Sequence, residues 1–148
     1  MKTKVMFVLL LTLVLVLGSA TVFAQQAKGG GWAAGSAYNR LFNPATVETL
    51  SGEVTKVEKI TPKRGMSYGV HVQLKTGNET IAVHLGPAWF IDSRKIKIDE
   101  GDKIEVTGSR ITFNNAPAII ASEIKKGDNV LKLRDANGFP AWAGRGGR

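Results

Sequence analysis

The chain has no cysteine. That absence excludes disulfides, thiol nucleophiles, thiolate metal sites and a Cys-x-x-Cys-His haem attachment. Histidine is nearly as scarce, with two in 148 residues, His71 and His84. No Gly-x-Ser-x-Gly, His-Glu-x-x-His, glycine-rich phosphate loop or Asp-rich calcium loop occurs. The serines stand in no context that pairs a nucleophile with a base. No catalytic residues are assigned, and the chain reads as a non-enzyme. Without cysteine, burial of apolar side chains alone must hold the domain together.

Long apolar runs are also missing, with one exception. Residues 5–17 are apolar apart from Thr12, follow Lys2 and Lys4, and lead to small residues before Ala24. This is the pattern of a secretory signal, with cleavage after Ala24. The run is short for a membrane span; the alternative is an uncleaved N-terminal anchor. The expectation is a periplasmic or secreted protein with no transmembrane segment after cleavage. Cleavage removes two of 20 basic residues and none of 12 acidic ones, taking the net charge from +8 to +6. In an exported protein this charge favours anionic envelope partners over nucleic acid.

What is present is β texture. After a flexible linker and packing arm over residues 25–45, in which Tyr38, Leu41 and Phe42 pack onto the domain, residues 46–134 alternate in short runs. Residues 46–60 form a long strand bent near Gly52. Residues 68–75 and 80–85 alternate cleanly, and both Val-rich sets face inward together with Tyr68. The segment LGPAWFID forms a turn with a short helical piece. Gly101-Asp102 and Asn114-Asn115 are turns between later strands. Residues 135–148 form a C-terminal extension with a basic tail containing Arg145 and Arg148. The expected fold is all-β, a small five- to six-stranded OB-like barrel with a short helical connection after strand 3. An open β-sandwich is the alternative.

The stretch HVQLKTGNETIAVH carries the candidate site. If Gly77-Asn78 is a two-residue turn with glycine at positive φ, Leu74 faces Ile81, Val72 faces Val83 and Val70 faces Leu85. The other face then sets Gln73 against Ala82 and His71 against His84. Directly opposed Cβ atoms lie about 4.5–5.5 Å apart, so the two imidazoles are a candidate for a divalent transition metal, or, protonated, for a small anionic ligand. Asp92, Glu53 or Glu79 would be a third ligand. The alternative is a solvent-exposed pair with no ligand. Trp89 and Phe90 either plug the barrel end, or Trp89 lines a cleft beside His84; Trp142 docks at that end. Arg110 is a further candidate neighbour. The outward positions hold no aromatic stacking platform, which argues against nucleic acid.

The ordered motifs YNRLFNPATVETLSGEV, VHLGPAWFI, GDKIEVTGSRI, AIIASEI and LRDANGFPAWAG resemble the exported bacterial domain of the magnetosome proteins MamS and MamX. The resemblance covers about residues 38–144. It implies an OB-like barrel in the periplasm or a periplasm-facing compartment, with links to iron handling. The haem-binding motifs of MamX have no counterpart here, so the chain is closer to the haem-free MamS type. A more distant likeness is to small exported OB-fold stress proteins. Two roles follow as expectations: a binding module using the strand 2–3 face, or a scaffold subunit with an envelope protein partner.

Overall fold

A computed structural model describes residues 30–144 of the chain. The apolar N-terminal run, the cleavage position and Arg145 and Arg148 lie outside the described residues. Six strands and one short helix follow in order: β1 Val47–Ile60, β2 Gly69–Lys75, β3 Thr80–Pro87, α1 Ala88–Ile91, β4 Lys103–Phe113, β5 Ala116–Lys126 and β6 Asn129–Lys132. Hydrogen bonding runs β3-β2-β1-β4-β5-β6, and β3 also pairs with β5 in parallel. The circuit through five strands therefore closes on itself, with the helical piece after β3, as the OB-like reading expected. No helix of the described residues is long and apolar enough to cross a membrane.

One strand makes the closure possible. The first half of β1, to Glu53, pairs with β4, and the second half, from Glu53, pairs with β2. The sequence suggested a bend at Gly52; the register break falls three residues later, at Thr55 between Val54 and Lys56. A bulge there adds twist and lets one strand serve two neighbours. At the β4–β5 hairpin, Asn114 and Asn115 both take positive φ (49° and 63°) between the paired Phe113 and Ala116. Asparagine tolerates this region better than other side-chain-bearing residues.

The barrel interior holds Val54, Val72, Leu74, Val83, Val106 and Ile124, all fully buried. Tyr68 does not join them. It precedes the first residue of β2 and is 62% exposed, so its apparent parity with Val70 carries no burial.

A second buried layer lies outside the barrel, on the far face of β2 and β3. Residues 31–35, expected to be a flexible linker, are folded here: Trp32 is buried, and its Nε1 donates to the Ser67 carbonyl at 3.1 Å. Asn39 Nδ2 donates to the carbonyls of Trp32 and Ala33. The arm ends on β4, where buried Ser109 Oγ accepts from Asn43 N at 2.9 Å and lies 2.9 Å from Thr46 Oγ1. From the other terminus, Trp142 Nε1 donates to the Trp32 carbonyl at 3.0 Å. Two strand glycines seat the indoles. A Cβ on Gly69 would stand 2.7 Å from the Trp32 ring, and one on Gly86 would stand 2.7 Å from the Trp142 ring.

Gly69→Ala is therefore expected to destabilise the protein by about 1–3 kcal/mol, the usual cost of an extra methyl in a filled space. Urea denaturation followed by circular dichroism measures it. An unchanged midpoint would mean that the Trp32 indole slides away freely.

Candidate functional site

The register predicted for β2 and β3 is the one observed. His71 pairs with His84, Val72 with Val83, Gln73 with Ala82 and Leu74 with Ile81. Two details differ. Val70 pairs with Gly86 and not Leu85, because a bulge follows His84. Gly77 is not at positive φ; the Thr76 hydroxyl organises the turn instead. It donates to the Glu79 carbonyl and accepts from the amides of Asn78 and Glu79. A side chain thus supplies the turn's hydrogen bonds without a left-handed residue.

The two imidazoles meet as the register requires, but not in water. His71 is 4% exposed and His84 2%. Their rings stack in parallel, with centroids 3.7 Å apart and planes 6° from parallel. Tyr38, from the arm, lies on the far side of His84 at 6.0 Å, and its hydroxyl is 2.8 Å from His84 Nδ1. Phe113 meets His84 edge-on at 4.9 Å. Ala118 and Ile120, in parallel register with Ala82 and His84, complete the buried floor. The expectation of an exposed pair is overturned by the arm. Alternation established which face the histidines share, but the arm's cover is a long-range contact.

Burial sets the charge state. Desolvation lowers the His71 pKa to about 4, against a smaller opposing pull from Glu58. It lowers that of His84 to about 3, helped by the charges of His71 and Arg134. Burial also pushes the Tyr38 hydroxyl well above its ordinary range. The stack is therefore neutral at physiological pH. Arg134, which was not among the candidate residues, is the cation beside it. It is 6% exposed, and its Nη1 donates to the carbonyls of Leu85 and Ala121. Its Cζ sits 4.7 Å over the Trp142 ring. Burial draws its pKa down to about 10, which still leaves it charged. Alternation with buried Leu131 and Leu133 gives Arg134 outward parity, so no local signal marks it as buried.

The remaining candidates are scattered. Gln73 is half-buried two pairs along from the histidines. Arg110 is engaged by two carboxylates, with Nη2 2.8 Å from Glu48 Oε1 and also bonded to Glu79. Trp89 is 52% exposed on α1. It neither plugs the barrel nor touches His84; Phe90 is the buried member of the pair, and Trp142 packs on it at 5.4 Å, the end where it was expected. The proposed third ligands are elsewhere: Asp92 pairs with Lys59, and Glu79 with Arg110. Among the described residues no group of three or more His, Cys, Asp and Glu is placed to hold a metal. The in-plane lone pairs of two parallel rings 3.7 Å apart do not converge on one ion at a Zn–N distance of about 2.0–2.1 Å.

Tyr38→Phe keeps the ring and removes the hydroxyl, leaving His84 Nδ1 buried without a partner. A loss of about 1–3 kcal/mol is expected in denaturant unfolding. No loss would mean that the hydroxyl is replaced by water.

The histidines also predict an acid limb. Their folded pKa values lie below the unfolded value near 6.5, so the unfolded chain takes up protons first and stability falls as pH drops through 6.5 towards 4. Between pH 7 and 5 the loss is about 2 kcal/mol per imidazole. Stability measured at the two pH values should show this, with about half the loss in His71→Leu. A flat profile would contradict a neutral buried stack.

No curated protein matches the chain. A family model does match, over residues 46–131, from the last residue before β1 to within one residue of the end of β6. By that match, across the whole barrel that carries the paired histidines, the chain belongs to the MamS/MamX magnetosome protein family.

Proposed function

We propose that the protein is an exported, non-catalytic accessory module of a magnetosome-type compartment, acting as an assembly subunit through its outer surfaces. In OB barrels the outer face of strands 2 and 3 is the usual ligand surface. Here that face is filled by the protein's own arm. The observation that carries the reading is the Tyr38–His84 contact at 2.8 Å over two imidazoles that are 2–4% exposed. Export rests on the basic start, apolar run and small residues before position 24, and fits a chain with no cysteine. The family match supports the compartment.

A second reading keeps the histidines as a ligand site, opened when the arm lifts. One observation favours it: His71 Nε2 is buried with no hydrogen-bond partner among the described residues. Two imidazoles freed to rotate would suit Zn²⁺, Cu²⁺ or Ni²⁺.

Titration calorimetry with each of these ions on wild type and His84→Ala separates the two. The subunit reading expects negligible heat in both, together with a stoichiometric protein partner that co-purifies from envelope extract in chelator. Saturable heat in wild type that disappears in His84→Ala would replace it with the metal reading.

A further inference from the structure

The α1 end of the barrel carries charge and exposed aromatic surface that the sealed histidine face does not use. β1 ends at Ile60, which pairs with Gly69, the residue after Tyr68. The Tyr68 carbonyl accepts from Ala88 N at 2.8 Å, which brings Trp89 alongside. Ile60, Tyr68 and Trp89 are 37%, 62% and 52% exposed. The loop between β1 and β2 adds Lys63 and Arg64, and the segment after α1 adds Arg94 and Lys95. All four are exposed, and none has a carboxylate partner among the described residues. Over residues 59–69 and 87–97 there are six basic residues and one acidic one, Asp92, which is paired with Lys59. The rest of the described chain has nine basic and eleven acidic residues.

The acidic turn borders this end at one edge only, where Asp99 lines a groove with Lys59, Asp92 and Lys97. The turn with Asp99, Glu100 and Asp102 is bonded to β1 at Val54, through Gly101 N to the Val54 carbonyl and Val54 N to the Asp102 carbonyl. Lys63, Arg64, Arg94 and Lys95 lie outside that groove, and an anionic plane would be attracted to them.

We propose that this end docks on an anionic lipid surface, with Tyr68 and Trp89 at the headgroup level and Lys63, Arg64, Arg94 and Lys95 on the lipid charges. This rests on the accessory reading above and names one of its surfaces. Tyr and Trp flanked by Lys and Arg is the composition of a bilayer interface. Protein–protein interfaces also favour Tyr, Trp and Arg but are depleted in Lys, so Lys63 and Lys95 distinguish the two. Trp32 holds the loop in place through its bond to the Ser67 carbonyl, one residue from Tyr68.

The test uses the full chain and vesicles of phosphatidylcholine with or without phosphatidylglycerol. Neutral vesicles report any contribution of the apolar N-terminal run. Binding should be stronger to the anionic vesicles and should weaken with salt. The doubly substituted Lys63→Gln/Arg64→Gln should lose roughly thirtyfold of the anionic preference, at about 1 kcal/mol per cation. Emission should shift to the blue on binding in wild type and not in Trp89→Phe, because Trp32 is buried and half-buried Trp142 is held against Phe90. Equal binding by wild type and the double variant, or no shift at Trp89, overturns the proposal. So does full displacement by soluble poly-glutamate at equal affinity, which would assign the patch to an acidic protein. If the envelope partner still co-purifies in chelator while vesicle binding fails, the docking surface is wrong and the subunit reading stands.

Discussion

Two imidazole rings stacked 3.7 Å apart in a layer without open water must both remain neutral. Much of the outer architecture follows from that constraint. A neutral imidazole still needs a hydrogen-bond partner when buried, and the Tyr38 hydroxyl is the one at His84. Tyr38 can reach it only because Trp32, Asn39 and Ser109 hold the arm at both ends. A nearby cation would oppose protonation further, and Arg134 is that cation, anchored to two strand carbonyls. The polar residues of this layer behave as core, although they lie on the outside of the barrel.

The cover is assembled from segments that flank the matched family segment. Tyr38 and Trp32 precede residue 46, and Arg134 and Trp142 follow residue 131. The barrel supplies the histidines, and its flanks decide that they face protein and not solvent. The contrast with the α1 end is direct. There the exposed aromatics and cations belong to the barrel's own loops, and among the described residues no flank lies over Tyr68 or Trp89. One surface of the fold is closed by the chain itself and another is left open, which is why the open one carries the argument about partners.

How much of this was legible in the sequence depended on range. The alternation in residues 68–75 and 80–85 is a local signal, and it specified both the inward valines and the histidine pairing, since a slip of one residue would invert every side chain. The asparagine turn and the short helix after β3 were equally local. Three things were not. Gly77 suggested a left-handed turn, but the Thr76 hydroxyl supplied a competing set of bonds. Tyr68 had the right parity for the core but lay one residue before pairing began. Arg134 carries no local sign of burial, because nothing in its neighbours announces that Leu85, 49 residues away, needs a donor. Burial of the histidines likewise depended on Tyr38, 46 residues upstream of His84.

The seat for Trp32 is built from both ends of the fold: Gly69 beneath the ring and Trp142 bonded to its backbone. A chain emerging from its N-terminus presents the arm first, yet the surface that receives it is complete only once residue 142 has arrived. More than a hundred residues lie between Trp32 and the residue that completes its seat. Until that seat is whole, the cover over the imidazoles lacks its C-terminal support.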